Sequence, residues 1–166
     1  MKTKEFIALV VTWAIATVVI LWLQPYLFSS VIPFSMNSRE LDNWLGGVFW
    51  PTTWIVYGLG IFLTLIWLGK AAKGHYSNAS QVLSNGGIWW LLCIFCGLLS
   101  LIGFLIISFF TGWLDASQSL EPLWILPPFI VLDVILLYWL PTAIATPRSL
   151  RYIPPFSMTL RKLYGG

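Results

Sequence analysis

Four long apolar runs dominate this chain and leave it few ways to fold. They cover 6–28, 48–68, 88–110 and 123–145. Each is about 20 residues or longer, enough for a helix to cross roughly 30 Å of hydrocarbon. The stretches between them are too short to build an extramembrane domain of any size. Composition agrees: 58% of the 166 residues are hydrophobic and 9% charged, whereas a soluble domain carries about 25% charged residues. The expected fold is all-α, with four transmembrane helices in one compact bundle over 1–145, followed by a basic amphipathic tail over 146–166.

Charge placement orients these spans. Eight of the nine Lys and Arg residues fall in three hydrophilic stretches. These are the N-terminus (Lys2, Lys4), a middle loop (Lys70, Lys73) and the tail (Arg148, Arg151, Arg161, Lys162). The two alternating stretches carry mostly acid: Glu40 and Asp42 beside Arg39, then Asp115 and Glu121. Cytoplasmic loops retain Lys and Arg, so both termini are expected inside. The first run follows a basic start but exceeds the roughly 7–15 residues of a signal-peptide core, so it is expected to remain as an anchor. The basic tail implies anionic headgroups at the cytoplasmic face, or a partner's surface, as its target. No basic patch interleaved with aromatics points to nucleic acid. A bacterial cytoplasmic (inner) membrane, or a related energy-transducing one, fits this plan.

Element ends follow from local signals. Helix one is expected to end near Gln24-Pro25, because proline removes a backbone donor. The loop 29–47 is expected to hold a short interfacial helix around Leu41, Trp44 and Leu45, ended by Gly46-Gly47. A polar, turn-rich loop is expected over 70–87. Pro127-Pro128 and Pro141 should kink helix four, or make it start late. Most of the eleven tryptophans are expected to form interfacial belts, leaving Trp13 and Trp22 unexplained. A short repeat, Pro33-Phe34-Ser35-Met36 and Pro155-Phe156-Ser157-Met158, reads as two similar interfacial solutions or chance rather than duplication.

Asp133 is the sharpest chemical signal. It lies mid-run with no Lys, Arg or His at that depth, and is expected to be largely neutral. An acid inside the membrane costs about 2.5–3.5 kcal/mol on insertion scales and usually faces a bundle interior or cavity. Thr17, Tyr57 and Ser100 lie near the midpoints of the other runs, so a polar layer of Thr17, Tyr57, Ser100 and Asp133 is expected. Such a layer either joins helices or serves as a proton, ion or substrate site.

Cys93-Ile94-Phe95-Cys96 has the spacing of thiol oxidoreductases, some of which are four-helix membrane enzymes. Here there is no second cysteine pair to relay a disulfide, and the charge pattern puts this one on the reducing side. Cys93, Cys96, Gly97 and Ser100 instead give small-residue pairs at helical spacing, which let helices approach closely. His75, the lone histidine, has no ligand companions in its loop, so neither a metal nor any other cofactor is called for. With no catalytic constellation in the sequence, the expectation is a non-catalytic accessory, assembly or scaffold subunit among other membrane subunits. A small transporter or channel subunit using Asp133 is the alternative.

Overall fold

In hydrocarbon a backbone amide has no water to bond, so each span must satisfy its own amides as a helix. The computed structural model describes residues 3–73, 79–114, 120–150 and 152–163. The four runs become α1 (Lys4–Val31), α2 (Ser38–Lys73), α3 (Ser80–Phe110) and α4 (Glu121–Ala145), each long and apolar enough to cross a membrane. A turn at Arg148–Leu150 and a short α5 (Ser157–Leu163) follow. Among the described residues there is no strand.

Several helices outrun their apolar stretches, and the physical causes are local. At Asn37 the side chain accepts from the Glu40 amide (2.9 Å) while Glu40 accepts from the Asn37 amide (3.2 Å). This capping box starts α2 at Ser38. The expected separate interfacial helix is therefore the first two turns of α2, and Gly46-Gly47 lie within a continuous helix instead of ending it. At its other end Lys70 and Lys73 fall in the last turn, where cations complement the helix dipole. Where a loop was expected over 70–87, helix runs to Lys73 and resumes before Gln81, whose carbonyl accepts from Ser84 (3.0 Å) and Asn85 (2.6 Å).

Pro25, Pro51 and Pro141 do not end helices, although α1 does stop after a wide turn at Leu27–Val31, two residues before Pro33. Wide π-helical turns occupy Val19–Leu23, Leu45–Phe49 and Ile135–Trp139. Each finishes two residues before a proline: Pro25, Pro51 and Pro141. A helical proline clashes with the carbonyl four residues back and cannot donate to it. Residues 21, 47 and 137 are those positions, and each lies at the centre of a π turn. Widening the turn relieves the clash without breaking the span. Helix one consequently continues past Gln24-Pro25 to Val31, and helix four starts early, at Glu121, with Pro127 and Pro128 inside it. In α1 the buried stripe is Leu9, Thr12, Ala16, Ile20, Gln24 and Phe28, four residues apart from Thr12 on. A four-residue spacing drifts about 40° per step on an ideal helix, and the wide turns hold it on one face.

At the centre stands α4, which packs against α1, α2, α3 and α5. The amino-terminal half of α1 lies along the carboxyl-terminal end of α4, so these two helices run antiparallel. At Gly60, α2 comes close to α4. A Cβ placed there would come within 2.5 Å of the Leu137 Cβ.

Candidate functional site: polar groups inside the bundle

Toward the end where α1 stops and α4 starts, Phe28 organises an aromatic layer. Its ring centroid lies 4.8 Å from Phe129, 5.2 Å from Phe49, 5.4 Å from Trp44 and 6.0 Å from Phe34. One helical turn further into the bundle come Gln24 on α1, Thr52 and Thr53 on α2, and Asp133 on α4, all buried. Gln24 Nε2 donates to Asp133 Oδ1. The residues are 1% and 3% exposed respectively. A further turn on, Ile20, Val56 and Leu137 are fully buried. The carboxyl is thus enclosed between a phenylalanine layer and an aliphatic one. Gln24 Oε1 and Thr52 Oγ1 are buried at this level with no hydrogen-bond partner among the described residues. Groups so placed keep unused hydrogen-bonding capacity, at a cost of about 1–3 kcal/mol each.

The expected four-residue polar layer divides into three separate contacts. Asp133 takes Gln24. Thr17 donates to the Trp13 carbonyl (2.7 Å) and meets the Tyr57 hydroxyl at 2.7 Å. Ser100 donates to the Cys96 carbonyl of its own helix (2.7 Å). Midpoints of apolar runs are a poor guide to depth here, because the helices overrun their runs by different amounts. Thr17 lies seven residues before Gln24, about 10 Å along the axis. Gln24 is the one amide side chain in 6–28, but its place beside Pro25 reads as a helix end and not as a buried face.

A second polar cluster, at the opposite end of the bundle, is built around Trp67 and Trp89, two of the tryptophans expected in interfacial belts. Trp67 donates to Thr146 Oγ1 and Trp89 to Thr142 Oγ1, both at 2.9 Å. Thr142 donates to the Trp139 carbonyl (2.9 Å), and Thr146 to the Thr142 carbonyl. Tyr138 donates to the Trp89 carbonyl (2.9 Å), with the two rings 5.6 Å apart. Thr64 donates to the Leu137 carbonyl (2.8 Å), which lies in the wide turn ahead of Pro141. Trp44, Trp67 and Trp89 are fully buried core, whereas Trp22, Trp54, Trp90 and Trp124 are exposed as belt residues would be. Trp13 keeps a buried indole N–H without a partner among the described residues.

On α3 the small-residue set is split. Cys96 and Ser100 are buried and Cys93 is half-buried, both thiols being free. Gly97 makes no close approach, since a Cβ there would meet nothing within 4 Å. The small residue that brings two helices together is Gly60 instead. In the tail, Lys162 is exposed. Arg151, the side chains of Arg148 and Arg161, and His75 lie outside the described residues. Those described hold no group of three metal-ligating side chains.

No family model matches the chain, and no curated protein or solved structure matches it. What the chain is rests on its four membrane-spanning helices: a small multi-pass membrane protein.

Proposed function

We propose that this chain is a non-catalytic accessory, assembly or scaffold subunit of a larger membrane complex. The observation that carries this reading is the contrast between the inside of the bundle and the outer face of α3. Inside, the one carboxyl is paired with Gln24 and enclosed, as a group that joins helices would be. Outside, α3 offers Trp90, Leu91, Ile94, Phe95, Leu98, Ile102 and Leu105, all exposed, with Gly87 lining a groove among the first five. A long apolar face with a recess suits another helix, because packing in lipid depends on close van der Waals fit. Extracted from native membranes in a mild detergent, the chain is expected to migrate with larger partners. The double substitution Leu91→Ala, Leu98→Ala should release it while leaving its helix content unchanged. Migration of the wild-type chain by itself would count against the proposal.

A second reading, a small transporter or channel subunit, draws on the partnerless Gln24 Oε1 and Thr52 Oγ1 at the level of Asp133. Ion and proton pathways use intramembrane carboxyls of this kind. Purified protein in liposomes should then support a flux that Asp133→Asn abolishes. Wild-type liposomes without flux would remove this reading.

A further inference from the structure

The tail after α4 holds the one positive-φ residue other than glycine among the described residues. Phe156 has φ 61°, a left-handed conformation that is a true outlier for a bulky aromatic. It is also 71% exposed. The related segment Pro33-Phe34-Ser35-Met36 behaves differently, since Phe34 stacks on Phe28 in the aromatic layer. Similar local sequence is drawn into the core in one place and held outside it, under strain, in the other.

Position explains what an outward Phe156 can reach. The tail does not project away from the bundle: Leu150, Pro154 and Ser157 are buried, and α5 packs against the end of α4. Phe156 lies edge-on to Trp139, with centroids 6.2 Å apart. Trp139 comes six residues before the end of α4 at Ala145, about 9 Å back along the helix axis. The tail therefore folds back beside its own span and sets an exposed aromatic ring well inside the helix end. Apolar side chains of in-plane membrane segments enter the headgroup–acyl boundary to a depth of about 5–10 Å. Tyr152 and Met158 are exposed on the same segment. Around them the sequence supplies Arg148, Arg151, Arg161 and Lys162, and no Asp or Glu follows Asp133.

We propose that residues 152–163 form an in-plane anchor that inserts Phe156 at the acyl boundary beside Trp139, and that the basic charge the tail sequence carries in Arg148, Arg151, Arg161 and Lys162 draws it to anionic phospholipid headgroups. The occupant of this surface is the bilayer itself. A uniformly basic segment complements anionic lipid, and a ring set at that depth beside a membrane span faces lipid ahead of any soluble protein.

The test uses the full chain in nanodiscs of phosphatidylcholine, with and without phosphatidylglycerol, and reads backbone hydrogen exchange over 152–163 by mass spectrometry. Anionic lipid is expected to slow exchange there by about fivefold for each basic residue engaged. High salt should reduce the effect. Replacing all four basic residues with Gln should abolish the lipid dependence while the helices keep their protection. Phe156→Gly provides the second arm, because glycine adopts this φ without strain. If the ring serves only the fold, relief of strain slows exchange in Phe156→Gly. On the lipid proposal, exchange becomes faster in the anionic nanodisc despite that relief. Equal exchange of wild-type protein in the two lipids, or slower exchange in Phe156→Gly, overturns the proposal. So does protection that arises only when a soluble protein is added.

Discussion

The bundle holds two buried polar clusters, and they are built on opposite terms. At one end, Trp67, Trp89, Tyr138, Thr142 and Thr146 form a network in which each described donor has a geometric acceptor. Three helices meet there, and the threonines that receive the indoles return their own protons to carbonyls of α4. Nearer the other end, Gln24 and Asp133 share one described hydrogen bond, while Gln24 Oε1 and Thr52 Oγ1 have no partner among the described residues. A fully connected network strengthens itself in a low-dielectric interior, whereas a partly connected one is costly there. The difference teaches that polarity inside a membrane bundle has no single meaning. The tryptophan–threonine cluster is cohesive, and the carboxyl–amide pair is the only one of the two with chemistry left to offer.

The comparison breaks first at its strong end. Trp89→Ala removes a fully buried indole, its bond to Thr142 and its tilted ring contact with Tyr138, so a loss of about 3–5 kcal/mol is expected. Unfolding in mixed micelles would measure it, and a cost below that of Asp133→Asn would invert the assignment of cohesion. Next comes the joint between the clusters. Gly60→Ala drives a methyl into the Leu137 Cβ, an atom fixed to the backbone with no rotamer to escape by. Overpacking of this kind costs about 1–3 kcal/mol. The same substitution at Gly97, which faces open space, should be neutral or slightly stabilising because alanine favours helix. Equal effects at the two sites would mean that α2 and α4 are not in contact at Gly60.

How much of this was legible in the sequence depends on which physics wrote it. The number of spans was, because hydrophobic length alone fixes it. Helix ends were not: Pro25 reads as a terminator, but there, as at Pro51 and Pro141, a wide turn absorbs the clash and the helix goes on, whereas the like turn Leu27–Val31 ahead of Pro33 closes α1. That one effect hid Gln24, and with it the partner of Asp133. Depth was equally hidden, which is why Thr17, Tyr57 and Ser100 were grouped with a residue they do not touch. Trp67 and Trp89 resembled belt residues because they lie near helix ends, and only the threonines of α4 reveal that the indoles point inward. Gly60 has no sequence mark that separates it from Gly58 or Gly97; its role comes from the neighbouring helix.

The smallest expected effect is the most discriminating. Gln24→Leu should leave the Asp133 carboxyl without its described donor, and Asp133→Leu should leave the Gln24 amide N–H without an acceptor. Either single change is expected to destabilise, whereas removing both partners for apolar groups is close to neutral. Interhelical hydrogen bonds in membranes couple by about 0.6 kcal/mol on average and up to about 1.7 kcal/mol. A double-mutant cycle in that range would mark the pair as helix cohesion between α1 and α4, in keeping with a scaffold. The informative departure is in the double mutant itself. If Gln24→Leu, Asp133→Leu folds more stably than wild type yet loses its biological role, the chain retains a polar pair at a cost in stability. Cohesion would then not account for it, and the partnerless oxygens beside the carboxyl would become the place to look for a ligand.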